Sequence, residues 1–506
     1  SVFVIPKIFH SVIIIKTKLL MRRISLTLEP FIIQILDTLE NAGFDAYLVG
    51  GAVRDLLVNR PVRDWDFTTN AKPDEIINLF SESFYNNEFG TVGVIDPTLK
   101  DTEKQEVYEI TTFRSESGYS DNRRPDQVEW GDKLEGDLER RDFTISAMAL
   151  KKLDNSQFQL LDFHNGETDL KNKIIRTVGN PNERFREDAL RMMRAIRIGS
   201  QLGFTIEEYT LNAIEVNASL IEKISFERIR EELLKIVVSN YGSQGIKLLY
   251  STGLLNYIVP ELIETRGVDQ SGHHTDDVWT HSLKSMDASP SRDPLVKLAT
   301  LLHDVGKPRS RAYVCSNCHH YFRQDPNDKI VCKRCGNEDS YRDCVVFHNH
   351  EVIGERMAEE IGQRLKLSAK DLHRLTTLVR WHMFSVDERQ SDKAIRRFIR
   401  QVGTENLDDM LALRTGDRIG GGARETSWRL ERFKKLLVEV QQQPFTVHDL
   451  KIKGNEIMEM LNISPGREIG KILNRLFDEV EDGVVINENE TLKKRVKEIY
   501  EEVIAG

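Results

Sequence analysis

Asp64 and Asp66 in the stretch VRDWDFTT are two carboxylates separated by one residue. In an extended strand, alternation puts both on one face and Trp65 on the other, with the carboxylates about 6 to 7 Å apart. That spacing suits two Mg²⁺ ions about 4 Å apart, which can activate an attacking 3′-hydroxyl and stabilise a leaving pyrophosphate. An isolated D-x-D is also an ordinary exposed strand end with two solvated acids, so its surroundings must decide. Upstream, DAYLVGG reads as a strand running into a turn and AVRDLLVNR as the helix behind it. Gly50 and Gly51 therefore close a strand and open a helix, where unpaired backbone N–H groups can hold a triphosphate, and Arg54 lies one turn in. A glycine pair in that place is equally common as a simple tight turn.

The elements that must carry these residues follow from periodicity. Residues 28–41 have helical spacing, and strand-like pieces recur at VRDWDFTT, TVGVID and QEVYEITTFR, which predicts a mixed α/β head of roughly 150 residues. From about Pro181 the pattern is almost entirely helical. The predicted division is a leader at 1–21, a head at 22–180, a helical neck at 181–265, a helical unit at 266–425 with an insertion at 311–345, and a helical carboxyl-terminal region at 426–506. Apolar residues 1–20 are interrupted by Pro6, Lys7, His10, Lys16 and Lys18 before a membrane-spanning length is reached. They read as a leader ahead of a start at Met21, and no later segment is expected to span a membrane. With 71 basic and 80 acidic residues the formal charge is −9, so any RNA contact must be local and not a wholesale basic coat. Nothing in the residues sets an oligomeric state.

The insertion carries Cys315, Cys318, Cys332 and Cys335 as C-x₂-C-x₁₃-C-x₂-C, a pattern suited to tetrahedral Zn²⁺ and not to a secreted disulfide framework. Zinc would explain how about 30 residues with few apolar side chains hold a shape. The compartment reads as cytoplasmic. His319 and His320 could substitute as ligands, and Cys344 is expected to pack as a small apolar residue.

The segment YLVGGAVRDLLVNRPVRDWDFTTNAKPDEI resembles the nucleotidyltransferase signature of the class II CCA-adding enzymes and the related bacterial poly(A) polymerases. The resemblance continues through EITTFRSESGYSDNRRPDQVEWGD, LERRDFTISAMAL, LLDFHNGETDL and ERFREDALRMMRAIRIGSQLGF, covering 44 to about 205 in order. It implies that Asp64 and Asp66 bind the catalytic metals, that Arg141 and Asp142 contact the ribose, and that the loop from Arg114 to Asp137 orders on substrate. Glu109, on the strand before that loop, is the candidate third acid, with a plain strand-edge glutamate as the alternative. In EDALR the resemblance implies that Asp188 and Arg191 read the base. Three residues apart on a helix they would share a face. A carboxylate accepts from the exocyclic amine of C or A, and Arg191 can donate to a ring nitrogen that carries hydrogen in G and U. The alternative is an ordinary surface ion pair worth a few tenths of a kcal/mol. Arg184, Arg186, Arg194 and Arg197 make the same helix basic, and Arg194 is counted with the nucleotide-binding set.

Farther on, His281, the adjacent His303 and Asp304, His350, His382 and Asp417 form a mixed N/O series suited to a divalent transition metal that activates water. The series resembles the HD phosphohydrolase domain, whose minimal ligand pattern is matched by His281, His303, Asp304 and Asp417. The implied activity is hydrolysis of phosphate esters. The leading expectation is thus a tRNA nucleotidyltransferase that builds or repairs CCA from CTP and ATP at the tRNA 3′ end. The alternatives are a poly(A) polymerase of the same fold, or an HD phosphohydrolase with a degenerate nucleotide-binding head.

Overall fold

The computed structural model describes residues 20–506 apart from 88–89, 100–105, 118–126, 132, 271–275, 326–327, 339–343, 385–391, 443–446, 482–483 and 506. Among the described residues the head is built on ten strands: β1 (Leu20–Ser25), β2 (Ala46–Val49), β3 (Asp66–Thr69), β4 (Ser83–Asn87), β5 (Thr91–Ile95), β6 (Val107–Thr112), β7 (Arg114–Ser117), β8 (Gln127–Trp130), β9 (Met148–Lys152) and β10 (Gln157–Asp162). Eight of them form one mixed sheet in the order β1-β10-β9-β2-β3-β6-β5-β4, and β7 and β8 pair separately as a hairpin. β3 and β6 run parallel, with Asp66 level with Glu109; β2 is antiparallel to both β3 and β9.

Seven helices accompany the strands into the neck: α1 (Pro30–Asn41), α2 (Gly50–Leu57), α3 (Pro73–Leu79), α4 (Leu134–Glu139), α5 (Gly166–Asn172), α6 (Pro181–Glu187) and α7 (Leu190–Leu202). α1 forms because Phe31, Ile32, Ile35, Leu36 and Leu39 recur at helical spacing and are all buried, while Pro30 suits the first turn. α8 (Glu208–Asn217) and α9 (Phe226–Val237) continue the neck. α7 turns Met192, Met193, Ala195, Ile196 and Gly199 inward, and its principal helical neighbour is α9, which buries Ile229, Leu233, Ile236 and Val237.

The chain divides into two compact units. One runs through 268 and takes in 292–298 and 360–368; the other holds 269–291, 299–359 and 369–506. The second is mainly helical and contains a three-stranded ribbon of Ala312–Val314, Tyr321–Phe322 and Val345–Val346. Its last three helices, Gly454–Leu461, Arg467–Glu481 and Asn489–Ala505, close around Ile457, Ile472, Leu476, Phe477, Leu492, Val496 and Ile499. Among the described residues no helix is long and apolar enough to cross a membrane.

Two expectations change here. Leu20 and Met21, assigned above to the leader, are the first residues of β1 and lie level with Asp162 and Leu161 of β10. Sheet pairing reaches them because β10 is long enough to need a partner along that whole edge; residues 1–19 lie outside those described. The segment from Arg114 to Asp137 is not a loop throughout, since β7 and β8 pair from Arg114 with Trp130 to Ser117 with Gln127, and α4 begins at Leu134. Its centre, 118–126, lies outside the described residues.

Candidate functional sites

Asp66 opens β3, half-buried, and Glu109 stands level with it on β6. Asp64 sits two residues ahead in an exposed bend and not on the strand, which corrects the expectation that both aspartates alternate along one strand. The pairing does reach Trp65, whose carbonyl accepts from the Glu109 N–H at 3.1 Å. The three acids are nonetheless neighbours: burial first, and then the charges of Glu109 and Asp64, push the Asp66 carboxyl up to about 6, against the opposing pull of Arg141 and Arg194. A carboxylate held at that cost, which Arg141 and Arg194 offset only in part, is one that a divalent cation would relieve.

Gly50 faces this acid. It has φ +74°, and a β-carbon there would stand 2.7 Å from Asp66 Oδ2 and 3.1 Å from an Arg141 guanidinium nitrogen. Only glycine satisfies both the backbone angle and the approach. α2 therefore starts directly against the carboxylate, with its free N–H groups at that end. Arg54 turns instead to its neighbour Asp55, with Nε to Oδ1 at 2.9 Å. Arg141 donates to Asp137 Oδ2 at 3.3 Å. Asp137 is buried; burial raises its carboxyl, but Arg140 and Arg141 bring it below the usual range. This acid, which nothing in the motifs singles out, aims Arg141 at the site.

Asp142 is buried and accepts from its own neighbour's N–H, Phe143, at 2.9 Å and from Arg194 Nε at 2.7 Å. Burial works against its charge, yet Arg194 and Arg191 hold the carboxyl below the usual range. The pair ties the head's RRDFT segment to α7.

Asp188 and Arg191 do not share a helix. Asp188 has extended backbone (φ −141°, ψ 105°) at the break between α6 and α7, and its Oδ1 accepts from the Leu190 N–H at 3.0 Å. The side chain caps the new helix, because an aspartate competes well for free N–H groups at such a start. Its Oδ2 accepts from Arg228 of α9 at 2.7 Å. Arg191 bonds to Glu187 and to the carbonyls of Arg184 and Arg140. The two do not pair with each other in these contacts; each has a partner of its own. Arg184 with Glu187 and Arg197 with Glu232 are likewise ion-paired, so much of the basic character of α6 and α7 is balanced locally. Glu187 stands inside the EDALR motif but was given no role there, and Arg228 lies outside any motif, 40 residues downstream in an ordinary amphipathic helix.

In the second unit six side chains converge. His281 is on the helix Val278–Ala288, His303 and Asp304 follow the helix Pro294–Leu302, His350 opens His350–Arg364, His382 follows Ala369–Trp381, and Asp417 is on Leu407–Gly420. The helices of His281 and Asp417 cross closely because Gly416 and Gly420 lie against Ser285, where any β-carbon would collide. His281 Nε2 is 3.2 Å from Asp417 Oδ1 and 3.2 Å from His303 Nε2; His303 Nε2 is 3.2 Å from Asp304 Oδ2. His350 and His382, placed above in the series but outside the minimal ligand set, belong to the cluster too, at 3.3 and 3.7 Å from Asp304 Oδ1. Burial pulls the His303 imidazolium down, but Asp304 and Asp417 hold it up to about 10; burial and the charge of His303 push His382 down to about 3.

The four cysteines converge as well, with their sulfurs within 4.8 Å of one another. Cys315 and Cys335 are 3.6 Å apart, as are Cys318 and Cys332, close to the ~3.8 Å that tetrahedral Zn–S bonds of about 2.3 Å require. The two halves are built alike: Cys315 N–H bonds to His320 O and His319 N–H to Cys315 O, while Cys332 N–H bonds to Asn337 O and Gly336 N–H to Cys332 O. His319 and Gly336 take the matching left-handed position, at φ +53° and +72°. The His320 ring lies parallel to Phe322, and Cys344 is buried with Tyr313, Phe322 and Val345, packing as an apolar residue.

Comparison with known proteins assigns both units. The Poly A polymerase head domain matches residues 46–176, the probable RNA- and SrmB-binding site of polymerase A matches 203–265, the HD domain matches 272–408, and tRNA nucleotidyltransferase domain 2 (putative) matches 348–496. The CCA-adding enzyme of Ligilactobacillus salivarius is 31% identical over 478 residues, 93% of this chain and 96% of that protein. That of Lactobacillus helveticus is 50% identical over 220 residues, which span 44% of this chain and 53% of that one. Among solved structures, the CCA-adding enzyme of Bacillus stearothermophilus in complex with CTP is similar at TM-score 0.65 and 25% identity, over 94% of this chain and 100% of that chain. The Thermotoga maritima CCA-adding enzyme complexed with tRNA shares the fold at TM-score 0.53 and 17% identity, over 94% of this chain and 99% of that one. With similarity to a full-length relative running through head, neck and tail, the chain belongs to the CCA-adding enzymes, the tRNA nucleotidyltransferases, in a form that carries an HD domain.

Proposed function

We propose that this chain completes or repairs the CCA end of tRNA from CTP and ATP, without a nucleic-acid template and in the cytoplasm. The observation that carries the reading is the meeting of Asp66, Glu109 and Asp64 with the start of α2 and Arg141. Asp64 and Asp66 would hold Mg²⁺, with Glu109 as the third acid; the ions supply charge neutralisation at the attacking and leaving oxygens. The N–H groups of Gly50 and Gly51 bind phosphate oxygens, and Arg141 neutralises charge beside them. Asp142 positions Arg194 and, with Arg141, faces the sugar. Asp188 and Arg191 present acceptor and donors to the base edge of C or A, which requires Asp188 to exchange Arg228 for the base amine. The test supplies a tRNA lacking CCA with one labelled nucleotide at a time. CMP should be incorporated and UMP and GMP should not; failure to incorporate CMP overturns the reading.

Gly50→Ala should lower the rate of incorporation at least about 100-fold, because a β-carbon displaces the Asp66 carboxylate from the phosphate side and ångström-scale misplacement carries a penalty of that order. Single-turnover rates at saturating CTP check this.

A second reading applies to the second unit, favoured by its six-residue cluster: hydrolysis of phosphate esters such as a 2′,3′-cyclic phosphate on RNA. Replacing both His303 and Asp304 by Ala should abolish phosphodiesterase activity while CMP incorporation stays within about threefold, since the acids of the head lie in a separate unit. Hydrolysis that persists would place that activity elsewhere.

The cysteine cluster is read as a structural Zn²⁺ site. Cys315→Ser with Cys332→Ser should remove one equivalent of zinc per chain, measured by elemental analysis, and disorder the ribbon, as structural zinc supplies folding energy directly.

A further inference from the structure

We infer that Phe84 is a stacking platform for an unpaired nucleotide of the RNA strand whose 3′-hydroxyl reacts, and so a substrate-positioning residue of the head. The inference rests on reading the head as a site that adds nucleotides to tRNA. Phe84 lies on the edge strand β4, level with Gly93 of β5; Gly93 is level with Glu109 of β6, and Glu109 with Asp66 of β3. Residues directly opposite on neighbouring strands project to the same face of a sheet. One row across four strands therefore carries Phe84, the bare backbone of Gly93 and two of the candidate metal-binding acids.

The ring can lie along that row because Gly93 has no side chain. A β-carbon at Gly93 would stand 2.6 Å from Phe84 Cζ, 2.9 Å from Cε1 and 3.0 Å from Cε2. Contact through the tip and both of its neighbours means that the outer end of the ring rests on the β5 backbone, on the Glu109 side of its own strand. Phe84 is nevertheless 42% exposed, and Val107, two residues before Glu109 and on the same face, is 44% exposed. The opposite face of β6 is covered: Tyr108 and Ile110 are buried, and Phe31 of α1 meets the Tyr108 ring edge-on with centroids 5.1 Å apart. Phe84 and Val107 thus leave apolar surface open beside the acids.

The side of the acids on which this surface lies says what covers it. Gly50 and the start of α2 meet Asp66 at the end of β2, and β2 borders β3 on the side away from β6. A triphosphate held there puts its leaving pyrophosphate on the β2 side. In-line displacement requires the attacking oxygen on the far side of the phosphorus, so the RNA end approaches over β6, β5 and β4. At ~4.8 Å per strand Phe84 stands about 10 Å from Glu109 and roughly 14 Å from Asp66, a distance that a few nucleotides of single strand cover. Unpaired bases are commonly held on aromatic rings, because every base has a π face and the contact requires no particular sequence. The incoming nucleotide, whose base is assigned to Asp188 and Arg191, leaves this ring to the RNA.

The test measures addition of AMP from ATP to a tRNA ending in CC by the full chain. Phe84→Ala should raise KM for the RNA about tenfold, the size of effect that one base–aromatic stack has on alanine substitution. Both kcat and KM for ATP should stay within about twofold, because the lost contact binds ground state and transition state alike. Phe84→Trp should restore the native KM, whereas Phe84→Leu, which keeps apolar bulk without a π face, should behave as Ala does. Tyr85→Ala removes a ring of similar exposure from the opposite face of β4 and should change nothing. With the native protein, removing the base from one of the unpaired nucleotides should raise KM by the same factor, and Phe84→Ala should then add no further loss. An RNA KM unmoved by Phe84→Ala, or full sensitivity to the missing base in that variant, overturns the stacking inference and leaves the assignment of the head standing. Native protein that adds no AMP overturns the assignment on which the inference rests. If Phe84→Ala fails to fold by circular dichroism, the comparison of Phe84→Leu with Phe84→Trp decides.

Discussion

Asp66→Asn should slow nucleotide addition by about 10³- to 10⁴-fold without loss of fold. Charge stabilisation by a carboxylate-bound metal is worth several kcal/mol in the transition state, and each ~1.4 kcal/mol is tenfold in rate. The amide keeps the shape of the carboxylate beside Gly50 but neither its charge nor its capacity to ligate Mg²⁺. The same change has an opposite signature in stability. The folded Asp66 carboxyl is pushed up to about 6, chiefly by burial and then by Glu109 and Asp64 against Arg141. A folded value above the unfolded one means that the group favours folding most below pH ~4 and that this advantage is lost as pH rises through about 6. In chelator, the native protein should therefore lose stability relative to the Asn variant between pH 4 and pH 7. Thermal denaturation at the two pH values, beside single-turnover rates with Mg²⁺, measures both effects. A variant of near-native rate would remove Asp66 from the catalytic site.

Asp188→Ala should cut the preference for CTP over UTP by about 10- to 100-fold, because a well-placed pair of base-edge hydrogen bonds gives roughly 1–3 kcal/mol of discrimination. The structure adds a confounding term. Asp188 also caps α7 through the Leu190 N–H, and losing a cap costs about 1 kcal/mol of stability. Asp188→Asn retains an oxygen for the cap but also loses the ion pair with Arg228, so its altered specificity, compared with that of Arg228→Ala, would separate recognition from folding. Arg228→Ala removes the competing partner at 2.7 Å and should not relax the choice of base. The readout is the ratio of kcat/KM for CTP and UTP; a ratio unmoved in both Asp188 variants contradicts the base-reading role.

Local features of the head were legible because they depend on short-range pattern. The turn at Gly50 and Gly51, the strand at 46–49 and the helix at 30–41 follow from glycine placement and apolar spacing. What escaped was set by tertiary pairing. β9 and β10 are needed to complete the sheet, yet their sequence shows no strict alternation because β10 buries Leu160, Leu161 and Asp162 in succession. The break at Asp188 was hidden by continuous helical periodicity; it becomes visible only when the Leu190 N–H and Arg228 are seen to share that carboxylate. Asp64 was drawn onto the strand by its neighbour's strand-forming residues, whereas pairing with β6 ends at the Trp65 carbonyl. In the second unit the metal-type spacing of the cysteines was readable outright. His350 and His382 were readable as members of the N/O series, but not their place directly beside Asp304, since the three come from different helices and no sequence spacing links them.

On the proposed function, the head chooses C and A by protein groups and stops at CCA. Sequencing the 3′ ends made on a tRNA lacking CCA, with all four nucleoside triphosphates present, tests it most directly. The expected product is C, C and A added in that order and no further. A long A tract would contradict the claim and assign the chain's activity to poly(A) polymerisation, and ends containing U or G would contradict base selection by Asp188 and Arg191.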